Sequence, residues 1–295
     1  MVIKVSARSI YELGQRSNQE DYIYPSGADM PSQSDLYILC DGMGGHEKGE
    51  VASETVCRTM SSYIKSHRRE DGLFDEDDFQ KALASAYDAL DAQDTSAEKK
   101  MGTTLTLAKF HAGGCFIAHI GDSRIYHIRP DAKPVLHVTR DHSLVNDLVE
   151  LGELTPEQAM KSKQKNIITR AMQPHQGRRD PADCCNLTDL RAGDYIYMCS
   201  DGMLEISRDA DIVEVLSRSC ADTEKIEVLK SLTRNNRDNH SAFLIRIVSV
   251  DTSNQKEKSM PEKQPSGRSR LVYWLLGFVV LAALSMGAFW LMHHL

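Results

Sequence analysis

Leu36-Tyr37-Ile38-Leu39-Cys40 runs directly into Asp41-Gly42-Met43-Gly44-Gly45-His46-Glu47-Lys48-Gly49-Glu50. Five consecutive apolar residues read as a strand buried on both faces. The run ends on a carboxylate and then on glycines, so a strand delivers Asp41 to the edge of a sheet. Glycine there lets main chain approach a ligand closely and leaves carbonyls free to act as ligands; a plain tight bend is the alternative.

The chain uses the device again. Tyr195-Ile196-Tyr197-Met198-Cys199-Ser200 leads into Asp201-Gly202-Met203. Two strands ending in Asp-Gly-Met, with further isolated carboxylates elsewhere, point to a polynuclear site for hard cations, which take oxygen ligands.

Outward from these strands, other short apolar or alternating runs predict strands at Ile3 to Ala7, Thr104 to Phe110, Cys115 to Ile120, Arg124 to Ile128 and Ala242 to Val248. His111-Ala112-Gly113-Gly114 reads as a hairpin turn, which implies antiparallel pairing. Val51, Thr55, Met60, Tyr63 and Ile64 share one helix face, and Phe79, Leu83, Ala86, Tyr87 and Leu90 another. Ile212 to Leu216, Ile226 to Leu232 and Val145 to Leu151 suggest more helices, and Thr155-Pro156-Glu157 starts a further one with Thr155 as its cap.

The C-terminal part is different. Leu271 to Met292 is 22 residues without a charge, about 33 Å as a helix and enough to cross a bilayer core of ~30 Å. Asp251 to Arg270 is polar and rich in Ser, Lys, Glu and Pro, a flexible linker by composition. With Arg268 and Arg270 beside the apolar stretch, the positive-inside rule places the preceding chain in the cytoplasm. The expectation is a domain at 1–250, a linker at 251–270 and a transmembrane helix at 271–292, anchored in the inner (plasma) membrane.

Residues 1 to 250 carry 30 basic and 39 acidic side chains. That balance excludes a broad basic face, so no nucleic-acid partner is expected. The seven cysteines form no CxxC pair and several lie in apolar runs. They read as free thiols and not as bridges or zinc ligands.

Short polar blocks complete the pattern. In order they are Arg16-Ser17-Asn18-Gln19-Glu20-Asp21, Asp41-Gly42-Met43-Gly44-Gly45, Gly102-Thr103-Thr104, Gly121-Asp122-Ser123-Arg124, Thr139-Arg140-Asp141-His142-Ser143, Ile168-Thr169-Arg170-Ala171, Ser200-Asp201-Gly202 and Asp238-Asn239-His240-Ser241. Each is weak alone. In this order they resemble the metal-dependent protein serine/threonine phosphatases of type 2C, over about residues 5 to 248.

The resemblance implies an α+β fold, a four-layer sandwich of two antiparallel β-sheets flanked by antiparallel α-helices. It implies that Asp41 bridges two Mn or Mg ions, with the Gly42 carbonyl on one and Asp201 and Asp238 on the other. Glu20 and Asp21 would hold metal-bound waters, Asp122 would help bind a third, weaker ion, and Arg16 would grip the substrate phosphate.

The chemistry is coherent. Phosphate monoesters are among the slowest substrates to hydrolyse unaided, and paired cations offset the repulsion between a phosphate dianion and an incoming nucleophile while acidifying the attacking water. Arginine suits the phosphate role because its planar fork binds two oxygens at once.

One position departs from many eukaryotic members of the family, where a histidine follows the bridging aspartate by two residues. Here it is Met43, which leaves the general acid unassigned; His46 is near in sequence. Lys161, Lys163 and Lys165 form a basic cluster in the segment that resembles the family's variable flap. They either attract phosphoproteins or simply solvate an exposed loop.

The expected substrates are phosphoserine and phosphothreonine proteins at the membrane, a cognate kinase among them. Two other readings stand beside this one. The first is a catalytically inactive, membrane-anchored phosphoprotein-binding module, and the second a hydrolase of small phosphoesters.

Overall fold

A run buried on both sides needs a layer on each, and the computed structural model supplies them. It describes residues 1–26, 34–44, 48–93, 101–131 and 135–252. The elements are β1 (Val2–Glu12), β2 (Asp21–Tyr24), β3 (Leu36–Met43), α1 (Gly49–Ser66), α2 (Glu76–Gln93), β4 (Gly102–Thr103), β5 (Leu105–His111), β6 (Gly114–Ile120), β7 (Arg124–Ile128), β8 (Val135–Val138), α3 (Leu144–Glu150), α4 (Pro156–Lys161), β9 (Asp183–Leu187), β10 (Tyr195–Cys199), a 3-10 turn (Asp201–Leu204), α5 (Asp209–Ser217), α6 (Asp222–Thr233) and β11 (His240–Asp251).

One sheet has the order β1-β11-β10-β7-β8, the other β2-β3-β5-β6-β9, with β4 paired to β3. The pairings between these strands are antiparallel. β3 shows why its sequence is apolar throughout. Tyr37 and Leu39 point between the sheets, beside Phe110, Ile117, Phe243 and Ile245. Leu36, Ile38 and Cys40 point the other way, onto Val56, Met60, Phe79 and Tyr87 of α1 and α2. The outer face of the first sheet packs Tyr126, Tyr197 and Leu244 on Ile212, Leu216 and Leu229 of α5 and α6. The four-layer sandwich is therefore present.

The hairpin at 111–114 joins β5 to β6, with His111 opposite Gly114 and Gly114 at φ 143°, a conformation open to glycine. Thr155 caps α4 as expected. Its hydroxyl accepts from Gln158 N–H, and Gln158 Oε1 accepts from Thr155 N–H, a capping box. β2, β4, β8 and β9 are too short or too polar to announce themselves.

The first Asp-Gly-Met ends a strand as expected: Asp41, Gly42 and Met43 are the last three residues of β3, with Gly42 opposite Thr103 and Met43 opposite Gly102. Asp201-Gly202-Met203 by contrast opens the 3-10 turn beyond β10. The two Asp-Gly-Met segments are thus different structures. In the first, glycine is needed for close packing inside a strand; in the second, Gly202 backs onto the Asn239 carbonyl.

The cysteines among the described residues are free. His46, most of the linker and the 271–292 stretch lie outside the described residues. Among those described, no helix is long and apolar enough to cross a membrane.

Candidate active site

Strand ends and loops from both sheets bring the predicted carboxylates together. Asp41 is held through its main chain. Its N–H donates to Thr104 Oγ1 at 3.0 Å, and its carbonyl accepts from Thr104 N–H at 2.8 Å and Thr103 Oγ1 at 2.9 Å. Thr104 Oγ1 lies 2.9 Å from Ser123 Oγ, so the residue after Asp122 braces the one before Leu105. This frame fixes where the Asp41 carboxylate can go.

Asp21 opens β2 directly across from Asp41. It is 1% exposed. Ser200 Oγ donates to its Oδ2 at 2.9 Å, whereas its Oδ1 has no hydrogen-bond partner. Asp122 is 8% exposed and its Oδ1 is likewise unpartnered. The Asp41 and Asp201 carboxyls lie close enough to perturb each other's ionisation.

Such crowding has an electrostatic signature. Burial, then repulsion from Asp21, Asp201 and Asp122, pushes the Asp41 carboxyl well above its usual range. Burial pushes Asp21 up to about 7 against the hydroxyls that favour its charge, with Asp201 and Asp238 adding to the rise. Asp122 also reaches about 7, through burial and then repulsion from Asp201 and Asp141. Burial raises Asp201 too, although its interaction with Asp41 pulls the other way. Carboxyls that resist ionising together form a site whose charge calls for cations.

Arg16 reaches the same place from the loop between β1 and β2. Its Nη2 donates to Asp238 Oδ2 at 2.7 Å. The guanidinium is half exposed, which leaves it able to meet a ligand from solvent. Glu20 lies on that loop, its carboxyl raised by burial and drawn back by Arg16.

Gly42 cannot be another residue. A Cβ there would lie 2.2 Å from Gly49 O and 2.5 Å from Glu20 O. The main chains of β3, α1 and the β2 lead-in are therefore in direct contact behind the carboxylates.

Several block residues hold the frame and do not face the site. Arg124 makes a two-pronged pair with Asp141 at 2.6 Å on each arm and reaches Asp209 at 2.7 Å. His142 accepts from Gly121 N–H through Nδ1 at 3.1 Å, and its own N–H donates to Gly121 O at 2.9 Å. Its Nε2 faces Asp183 Oδ2 at 3.1 Å, and Arg170 joins the same carboxylate.

Among the described residues, the ligand atoms gathered within 4.8 Å of one another belong to His119, His142 and Asp183, not to the aspartates of the cleft. The His119 and His142 rings stack at 4.5 Å and 14°. Lone pairs in nearly parallel planes do not converge on one ion, and His142 Nδ1 is already engaged, so this trio reads as a hydrogen-bonded brace.

Lys161, Lys163 and Lys165 are exposed. Asn239, Ser200 and Thr104 lie inside the sequence blocks without a role assigned there; for Asn239 and Ser200 the available signal was a position beside an acid, and Thr104 carried none.

The comparisons agree with this geometry. A family profile described as Protein phosphatase 2C matches residues 13–237. A putative protein phosphatase 2C-type of Streptococcus pyogenes is 34% identical over 259 residues, covering 84% of this chain and 99% of that one. The serine/threonine protein phosphatase PstP of Mycobacterium tuberculosis is 34% identical over 216 residues, 73% of this chain but 39% of that longer protein. The crystal structure of the PstP catalytic domain in complex with two manganese ions superposes with a TM-score of 0.68 at 30% identity, covering 84% of this chain and all of that one. With the sandwich and the carboxylate cleft in place, this chain belongs to the protein phosphatase 2C family, as a protein serine/threonine phosphatase.

Proposed function

We propose that the chain removes phosphate from phosphoserine and phosphothreonine in proteins with two Mn or Mg ions, at the cytoplasmic face of the membrane. The observation that carries the metal reading is the buried pair of unpartnered oxygens, Asp21 Oδ1 and Asp122 Oδ1, in a cleft of carboxyls that repel one another. An unsatisfied buried acceptor is costly, and a hard divalent ion or a water that it holds is the partner such oxygens fit. Asp41, the Gly42 carbonyl, Asp201 and Asp238 would hold two ions and Asp122 a third, with Glu20 and Asp21 acting through water. When bound, the ions supply Lewis-acid activation of water and offset the charge of the phosphate.

The chain's own residues do the rest. Arg16 presents a half-exposed fork beside the carboxylates, placed to orient a phosphate. Thr103, Thr104 and Ser123 keep Asp41 from moving. The uncharged stretch at 271–292 supports a membrane anchor, and anchoring raises the local concentration near membrane-bound phosphoproteins such as a kinase.

The test is phosphate release from a phosphothreonine peptide by the 295-residue chain, with Mn added or chelated, beside Asp41→Asn and Asp238→Asn. Mn-dependent turnover lost in each variant is expected. A folded protein without turnover in any divalent ion would favour the phosphoprotein-binding module, and a preference for small phosphoesters over the peptide would favour the third reading. Carbonate-resistant retention in membranes, lost on deletion of 271–292, tests the anchor.

A further inference from the structure

Asn239 is 4% exposed, and its side chain is committed to main chain on the loop that carries Arg16. Oδ1 accepts from Glu20 N–H at 2.8 Å. Nδ2 donates to Leu13 O at 2.8 Å and to Asn18 O at 3.1 Å. Its own N–H donates to Asp238 Oδ1 at 2.8 Å. One residue therefore holds both ends of the Leu13–Glu20 loop and one oxygen of the carboxylate that Arg16 pairs with through the other.

The loop is fitted to this segment elsewhere too. Gly14, at φ +64°, packs so tightly that a Cβ would lie 2.1 Å from Asp238 O, and Gln15 N–H donates to Arg237 O at 3.3 Å. On the opposite side, a Cβ on Gly202 would lie 2.0 Å from Asn239 O, so the same residue abuts the turn of Asp201. Among the uncharged side chains, the amide of asparagine has the reach, the acceptor and the two donors this position uses. Aspartate lacks the donors, serine offers one hydroxyl, and glutamine is a methylene too long for a buried site.

We propose that Asn239 is a positioning residue for dephosphorylation: it fixes the Arg16 loop against Asp238, so that the phosphate-binding guanidinium and the metal-binding carboxylate keep a set separation. The proposal rests on the reading of Arg16 as the phosphate grip. A loop tied at Leu13, Asn18 and Glu20 cannot swing Arg16 away from the cleft. Untied, the guanidinium samples other positions, and misplacement of a positioned group by about 1 Å costs on the order of 10²-fold.

The experiment is a double-mutant cycle on the full chain at saturating Mn: wild type, Arg16→Ala, Asn239→Ala and the double variant. Phosphothreonine-peptide kinetics, inhibition by inorganic phosphate and the Mn concentration for half activity are measured for each. Asn239→Ala is expected to lower kcat/KM by about 10²-fold, mainly through KM, and to weaken phosphate inhibition in parallel. The Mn requirement should hold within about twofold, because Asp238 keeps the main-chain N–H of residue 239. In the Arg16→Ala background the same change should cost nothing further.

Independent, multiplying losses, or a raised Mn requirement with phosphate inhibition unchanged, would overturn the proposal while leaving the Arg16 assignment standing. A silent Arg16→Ala would sink that assignment and this proposal with it. Should Asn239→Ala fail to fold, Asn239→Ser, which keeps one hydroxyl in less volume, takes its place in the same cycle.

Discussion

Arg16 Nη2 donates to Asp238 Oδ2 at 2.7 Å, so the cation expected to grip phosphate is paired with a carboxylate expected to bind metal. An incoming phosphate and a metal ion each compete for one half of this pair. Arg16→Ala should therefore lower kcat/KM on a phosphopeptide by roughly 10²-fold while leaving the Mn requirement unchanged or smaller, since Asp238 is freed. Arg16→Lys should not restore it, because a point charge cannot bind two oxygens in one plane. Steady-state kinetics across a Mn titration checks both arms; a larger Mn requirement in the alanine variant would contradict the competition.

Asp41 stands among carboxyls that raise one another. Replacing it with the isosteric amide removes the cost of burying a carboxyl that its surroundings keep from ionising freely, so metal-free Asp41→Asn should melt higher than metal-free wild type. About 1 kcal/mol of relief corresponds to roughly 2–4 °C in a domain of this size. Manganese should then raise the melting temperature of wild type and leave the variant nearly unmoved, because only a bound ligand stabilises the native state. Scanning calorimetry with and without Mn reads both; a variant that gains as much as wild type would remove Asp41 from the metal site.

How much of this was legible depends on the kind of residue. The strand at 36–40 was plain because burial on both faces leaves no room for a polar residue, and Thr155-Pro156 was plain because a cap satisfies its own helix locally. β2 was not: four residues beginning with an acid carry no periodicity, and Asp21 earns its place only by lying across from Asp41. The carboxylates could be picked out as types, and the block order gave them roles. What no one-dimensional reading supplies is the division of labour inside a block. Asp122 faces the cleft, while Arg124 two residues later locks Asp141. Asp238 faces it, while Asn239 turns back to hold the loop. For Arg124 the division is set by a partner 17 residues on, and for Asn239 by contacts more than two hundred residues away in the chain.

Gly42 and Gly44 offer a paired test of the close approach behind the site. A Cβ on Gly42 would meet two main-chain carbonyls at 2.2 and 2.5 Å, whereas on Gly44 the nearest atoms lie at 3.6 Å and beyond. Backbone cannot rotate away as a side chain can. Gly42→Ala should cost about 3 kcal/mol or more, at or above the upper end of ordinary overpacking, and Gly44→Ala under about 1 kcal/mol. Urea midpoints at constant slope measure the difference; equal midpoints would mean that β3 and α1 can part without loss.

Far from the cleft, Asp194 sets an acid limit on the fold. The residue is 1% exposed. Burial alone would raise its carboxyl, but Arg129, through Nε and Nη2 at 2.8 Å each, and His127 Nε2 at 2.9 Å outweigh that and hold it at about 2. The unfolded chain protonates an ordinary aspartate near 4. Between those values the unfolded state binds the proton and the folded state does not, so stability falls as pH falls through the window from about 4 to about 2 and is fully present above it. The contribution is on the order of 2 kcal/mol. Asp194→Asn should flatten that part of the acid-unfolding curve. At neutral pH it should also be less stable than wild type, by about 2 kcal/mol, because the buried Arg129 loses its buried carboxylate partner and keeps only the exposed Asp189. Denaturant melts at pH 7, 4 and 3 separate the two effects; a variant that keeps the wild-type slope between pH 4 and 3 would show that other carboxylates, not Asp194, govern the loss.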